Sequence, residues 1–483
     1  MEYLLRDRQP QHIMRFFEEI SAIPRCSGNE KQISDYVVDF AKKQRLSFHQ
    51  DSFFNVVVRK PASPGCENKP GVILQGHLDM VGEKAEGSSH DFESDPLTLV
   101  VEGDILRAKD TTLGADNGVA VAYMLAALED QALVHPPLEC VFTTQEEVGL
   151  VGATNLDGSQ IAGRRLINLD CGPEGALFST CAGGLRITLD AEVQWEQAKG
   201  TGFSVAVRGL KGGHSGVEIG KQRGNACKLL ARVLACLRDS FDVRLVSLAG
   251  GDKDNVIPNN CTGVMQLVTG DMGQVEQEVR KLAAVIQKEL AVLEPEVEIH
   301  VASVGKVQKS LSKADTARLL DLLLALPNGV RGMSTAIEGL VALSANLASV
   351  CTTDTGFAVR MSLRANADSQ KAALYQEVEA IARGLGVTCT PSNGYPGWAH
   401  AEHSPLRELC QKVYGSLYNK EFSMEGTHGG LECGILGAKL PGVDMVAIGP
   451  DNMDFHSVKE TLDLASFSRV WEFLATLMAE MCK

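Results

Sequence analysis

With 483 residues the chain is long enough for about three domain-sized units, and its 44% hydrophobic and 22% charged residues supply a large core and exclude a disordered chain. A formal net charge of −15 has the wrong sign to replace counterions on nucleic acid or to dock on anionic lipid. The longest clean apolar run, Gly118 to Leu128, is short of the roughly 20 residues of a membrane span. The N-terminal residues, with Glu2, Arg6, Asp7 and Arg8 close together, lack a secretion-signal pattern. Thirteen cysteines, none in C-x-x-C spacing, are therefore expected as reduced thiols of a cytoplasmic protein.

In chain order, Met14, Phe17, Ile20 and Ile23 recur every three residues, and Ile33, Val37 and Phe40 resume the pattern after Pro24 to Gly28. This predicts two helices within 11–43, separated by a break. Apolar runs at Val56–Val58, Gly71–Gly76, Leu138–Thr144, Arg165–Leu169 and Asp444–Gly449 predict strands, and Asn117 to Leu128 a helix. Continuous apolar strands alternating with helices predict an α/β fold with a mostly parallel sheet covered by helices on both faces. Gly- and Pro-rich joints at 172–175, 181–184 and 392–397 mark domain crossings. They delimit a discontinuous domain of residues 1–183 and 397–483 and an inserted α+β domain of residues 184–396. The insert repeats one order twice: helix, two strands, helix, strand. The first copy runs from Asn225 to Val304 and the second from Ala314 to Thr390, a degenerate internal duplication.

The residues that follow the predicted strands of the first domain carry the chemistry. His77-Leu78-Asp79 follows one strand, Glu146-Glu147 a second and Asp170 a third, and His456 lies in the loop after a fourth. In open α/β sheets the ligand crevice lies at the carboxyl ends of the strands. Asp116, after Thr111 to Ala115, opens the predicted helix. Each has a plain structural explanation on its own: Asp116 as a helix N-cap, Glu146-Glu147 as a solvated turn, Asp170 as turn chemistry, each histidine as a packed side chain. Together they change meaning. Carboxylates crowded at one sheet edge repel one another, and such a cluster is stable when cations neutralise it. Two histidines with Asp and Glu suit zinc, with manganese or cobalt as alternatives. The spacing of His77 and Asp79 lets Asp79 hold the free imidazole N–H. Adjacent Glu146 and Glu147 diverge, so one can face a metal and the other a water, as a general base in metal-assisted hydrolysis.

His77-Leu78-Asp79, Thr112 to Gly118, Glu146-Glu147, Asp170 and His456-Ser457 together resemble the motif set of the M20 metallopeptidases, and among them the bacterial aminoacyl-histidine dipeptidase group, over essentially the whole chain. The resemblance implies two divalent ions, with His77 and Asp170 on one, Glu147 and His456 on the other, and Asp116 between them. It implies Glu146 as the general base toward the attacking water and Asp79 as the residue that orients His77. The inserted domain resembles the family's lid. There Gly212-Gly213-His214-Ser215-Gly216 matches a loop whose histidine faces the tetrahedral oxyanion, and Arg364 matches an arginine that takes the substrate carboxylate. Asn346 matches a lid asparagine near the same place. His428, in Gly426 to Glu432, matches a catalytic-domain loop that closes the carboxylate pocket. The implied activity is hydrolysis of unblocked dipeptides, Xaa-His above all, by a cytoplasmic enzyme. A lid doubled within one chain can supply both surfaces to the site, although the group includes homodimers. The rivals are an aminoacylase or carboxypeptidase of the same family and a non-catalytic, metal-stabilised binding protein. Asn259-Asn260 and Asp451 to Phe455 depart from the family pattern and bear on substrate preference.

Overall fold

An eight-stranded mixed sheet organises the first part of the molecule in this computed structural model, which describes residues 3–483. Its strands run in the order Ser47–Gln50, Val56–Lys60, Leu138–Thr143, Val72–His77, Arg165–Asn168, Asp444–Ala447, Ala176–Cys181, Ser423–Thr427. The four central strands, Leu138–Thr143 to Asp444–Ala447, are mutually parallel, and the flanking pairs Ser47–Gln50 with Val56–Lys60, Val56–Lys60 with Leu138–Thr143, and Asp444–Ala447 with Ala176–Cys181 are antiparallel. Every residue of Val72–His77 and Leu138–Thr143 is buried. That is the reason these segments read as unbroken apolar runs rather than alternating ones.

The helix Ala115–Glu129 is almost wholly buried, and the helix Gln11–Ser21 and strand Val72–His77 both pack against it. Close approach to the strand depends on Gly76, where a Cβ would stand 2.3 Å from that of Ala120. The helix does not begin regularly. Asp116 has extended torsions (φ −80°, ψ 106°) and caps nothing with its side chain, which removes the N-cap explanation for it. The expected break between the first two helices is present, between Gln11–Ser21 and Lys31–Lys43.

The second part is a nine-stranded antiparallel sheet. Its main path is Glu298–Lys306, Thr201–Arg208, Cys261–Thr269, Asp242–Gly250, Val341–Thr352, Gly356–Ala365, Gly183–Glu192, Thr388–Tyr395, and Gly329–Met333 pairs with Val341–Thr352. Helices Ala226–Ser240, Met272–Leu290, Lys313–Ala325 and Asp368–Gly384 pack on it around a separate core. The order is palindromic. Each half has, from the centre outward, a long strand that follows its first helix, the next long strand, a leading strand and the last strand. The two halves meet where Asp242–Gly250 pairs with Val341–Thr352. This is the repeat read from the sequence, with one leading strand added to each copy. Those strands, Gly183–Glu192 and Thr201–Arg208, are neighbours in the chain yet sit in opposite halves.

The compact units comprise residues 3–180, 398–426 and 431–483 for the first, and 181–397 with 427–430 for the second. The segment 427–430, which includes His428, packs with the second unit, whereas the sequence reading assigns it to the first. The cause is local: the Ala182 amide donates to the Thr427 and Gly429 carbonyls, and Ser344 Oγ meets His428 Nε2 at 2.7 Å. Among the described residues no helix is long and apolar enough to cross a membrane.

Candidate active site

His77 ends its strand with a side chain 1% exposed. Its Nδ1 lies 3.0 Å from the Asp79 carbonyl oxygen and 3.3 Å from Asp79 Oδ1. With the Nδ1 proton directed there, Nε2 points at Asp116 Oδ1 (3.1 Å) and Asp170 Oδ1 (3.5 Å). The other oxygen of Asp116 faces the opposite way, 3.2 Å from His456 Nε2, and that nitrogen is also 2.8 Å from Glu147 Oε1. The first unit therefore holds two trios, His77/Asp116/Asp170 and Asp116/Glu147/His456, with donor atoms in each within 4.8 Å of one another. Asp116 belongs to both, one oxygen toward each. Glu146 joins His77 and Glu147 in a third grouping of the same size.

Local backbone chemistry aims these side chains. Asp79 accepts from the amides of Glu146 (3.1 Å) and Glu147 (3.3 Å) and from Ser27 Oγ (2.7 Å), so it fixes the glutamate pair as well as His77. Burial works against its charge, but the bonds from His77, Ser27 and Glu146 hold its carboxyl below the usual range. Glu460 accepts from the amides of Leu113, Gly114 and Asp116 at 2.8, 2.9 and 3.2 Å. Arg25, 1% exposed, donates to the carbonyls of Leu78 (2.9 Å), Asp79 (3.1 Å) and Gly114. Gly114 is left-handed (φ 68°), and a Cβ there would fall 2.6 Å from both Arg25 Nη2 and Met80 Sδ, so glycine alone fits. Glu432, fully buried, accepts from Thr143 Oγ1 (2.7 Å) and Gln75 Nε2 beneath the sheet edge.

Arg25, Ser27, Glu432 and Glu460 were not among the residues read as functional from the sequence. Arg25 and Ser27 lie in what reads there as an interhelical break. Glu460 follows His456 by four residues, and this acid in a segment of otherwise ordinary composition was the one available signal.

The donor set fits divalent cations. The carboxylates converge in low dielectric, and in the absence of cations protons do the neutralising. Burial pushes the Asp170 carboxyl up to about 8, and burial with the charges of Asp170 and Glu147 holds Glu146 well above its ordinary range. Burial disfavours charge on both histidines, yet Asp170 and Asp116 hold His77 well above its usual value. Bonds to Asp116 and Glu147 raise His456 to about 10. Cations bound there would replace those protons.

The second unit gathers the other four sequence-picked residues. His214 lies in the short strand Gly213–His214, paired with Val256–Ile257. Asn346 Nδ2 donates to the carbonyl of Val256, the register partner of His214, at 2.8 Å. Gly216 packs between His214 and Arg364: a Cβ there would lie 2.9 Å from His214 Cε1 and 3.0 Å from Arg364 Cζ. Burial and then the Arg364 charge depress both His214 and His428, the latter to about 3. Both imidazoles are therefore neutral beside an unneutralised guanidinium.

Residues 73–480 match the family model of peptidase family M20/M25/M40. The chain is 34% identical over 479 residues to the cytosol non-specific dipeptidase of Escherichia coli (strain K12), covering 99% of each sequence. The crystal structure of aminoacylhistidine dipeptidase from Vibrio alginolyticus superposes with a TM-score of 0.93 at 32% identity, covering 99% of this chain and 98% of that one. Aminopeptidase PepT from Bacillus cereus ATCC 10987 shares the fold alone, with a TM-score of 0.56 at 14% identity over 98% of this chain and 99% of that one. The fold and these similarities are those of a metallopeptidase-type hydrolase. The chain belongs to peptidase family M20/M25/M40.

Proposed function

We propose that this protein is a cytoplasmic, dinuclear metal-dependent dipeptidase that hydrolyses unblocked dipeptides, Xaa-His among them. The observation that carries the reading is the pair of donor trios sharing the two oxygens of Asp116, with Glu146 alongside. His77 and Asp170 would hold one ion, Glu147 and His456 the other, and Asp116 both; zinc suits this donor set, as do manganese and cobalt. Bound divalent ions supply Lewis-acid polarisation of the scissile carbonyl and ease deprotonation of water.

The rest falls to the protein. Glu146 takes a proton from the attacking water on its carboxylate and returns it to the leaving amine nitrogen as the C–N bond breaks. Asp79 keeps the His77 ring and the glutamate pair in register through the bonds described above. In the second unit His214 would face the oxyanion. Arg364 would take the C-terminal carboxylate, for which its planar fork is suited, with Asn346 and His428 beside it. A clamp that accepts only a free C-terminal carboxylate would restrict the enzyme to short, unblocked substrates.

The test is a substrate panel on metal-stripped protein, before and after addition of Zn²⁺, Mn²⁺ or Co²⁺. It includes Xaa-His and other free dipeptides, a tripeptide and N-acetylated amino acids. The expected outcome is metal-restored cleavage confined to free dipeptides. Cleavage of the N-blocked substrates alone would transfer the chain to the aminoacylase reading, and metal uptake without turnover to the binding-protein reading. Glu146→Gln is expected to lower kcat by about 10²–10⁴-fold with metal content, read by elemental analysis, unchanged.

A further inference from the structure

Arg364 stands half-buried on the strand Gly356–Ala365 and forms no ion pair among the described residues. Its Nε is buried with no hydrogen-bond partner, and its Nη1 donates to the hydroxyl of Tyr395 at 3.0 Å. A guanidinium withdrawn from water is usually met by a carboxylate or phosphate. Here a neutral phenol meets it.

The phenol is held firmly. Its ring lies against Gly184 and Gly430, where a Cβ would come within 2.4 Å of Cε1 and 2.9 Å of Cε2 respectively. The Tyr395 carbonyl accepts from Lys371 Nζ; that lysine pairs with Asp368 at 2.8 Å, and Asp368 accepts from the Gly397 amide at 3.0 Å. Two glycines thus make room for the ring and a lysine–aspartate pair fixes its backbone. Gly216 lets the guanidinium approach the His214 loop. The arginine is confined between a rigid hydroxyl and a glycine, with its charge uncompensated.

We propose that Tyr395 is a positioning residue for carboxylate recognition: it fixes the direction of the Arg364 fork so that the guanidinium meets the substrate's C-terminal carboxylate already oriented. The inference rests on the reading of Arg364 as the carboxylate clamp. An arginine aimed in advance loses less rotamer freedom on binding, so the contribution is to affinity. It is a uniform one, exerted on ground state and transition state alike, and so is visible in KM rather than kcat.

The test uses the metal-loaded, full-length enzyme with a free dipeptide and its C-terminal amide as substrates. Tyr395→Phe keeps the ring between the two glycines. It is expected to raise KM for the free dipeptide by up to about tenfold, the cost of immobilising one rotamer-rich side chain on binding. The kcat for the free dipeptide and the kcat/KM for the amide should stay unchanged. In an Arg364→Ala background the same substitution should do nothing, because the two residues act as one unit. An equal loss on acid and amide, no loss on either, or an undiminished loss in the Arg364→Ala background overturns the role of Tyr395. If Arg364→Ala alone leaves the preference for the free acid intact, the clamp reading itself fails, and the tyrosine inference with it.

Discussion

At the scale of single residues, the site depends on buried groups that touch no substrate. The Glu460 carboxylate gathers three backbone amides of the loop that presents Asp116. A glutamine there offers one acceptor oxygen and turns an N–H₂ toward amides. Glu460→Gln is expected to cost about 1–3 kcal/mol of stability and to weaken metal binding about 10–100-fold, checked by denaturant titration and by calorimetric titration with Zn²⁺. His428 gives a pH signature. Burial, and then the Arg364 charge, push it down to about 3 in the folded chain, whereas the unfolded chain takes up the proton near pH 6.5. Between those values the unfolded state binds more protons, so stability is full above about pH 6.5 and declines as pH falls toward 3. His428→Gln should flatten that slope in denaturant midpoints measured across the window.

Among the elements, the strand Val72–His77 and the helix Ala115–Glu129 are the pair on which the site is mounted. Gly76→Ala would drive a methyl into Ala120 one residue before His77. A loss of about 1–3 kcal/mol is expected from overpacking, together with weaker metal uptake, read by the unfolding midpoint and by metal titration. These elements also mark how far the sequence could be read. The central strands were legible because burial on both faces writes them as unbroken apolar runs, and strand ends are where ligands gather. The duplicated helices were legible from their periodicity. The strands Gly183–Glu192 and Thr201–Arg208 were not, because they pair with segments distant in the chain and nothing local says which half each joins. The irregular turn at Asp116 was hidden too: helix-forming residues follow it, and the Glu460 bonds that shape it come from the far end of the chain. Thr427 to Gly430 was misassigned for a like reason, since its partners are Ala182 and Ser344.

For the whole molecule, each unit has its own core, one around the helix Ala115–Glu129 and one beneath the nine-stranded sheet. Two separable unfolding transitions are expected by calorimetry. A ligand that binds one folded unit stabilises that unit alone, by about 4 kcal/mol at a thousandfold excess over Kd. Chelation should therefore lower the transition of the unit that holds His77 and His456 and leave the other in place, with hydrogen exchange assigning each. A single transition shifting as a block would contradict that independence.

The palindromic sheet also carries a consequence for the chain as it is made. Its first half is continuous, from Thr201 to Lys306, and lies inside the second, which opens with Gly183–Glu192 and resumes at Lys313–Ala325. Along the sequence the whole of that sheet falls between Arg165–Asn168 and Asp444–Ala447, which pair in the eight-stranded sheet. The fold closes like nested brackets, innermost pair first. A ribosome delivers the early histidine and carboxylates long before their last partner, His456. A growing chain therefore carries four of the five proposed metal ligands and lacks the fifth until synthesis is nearly over.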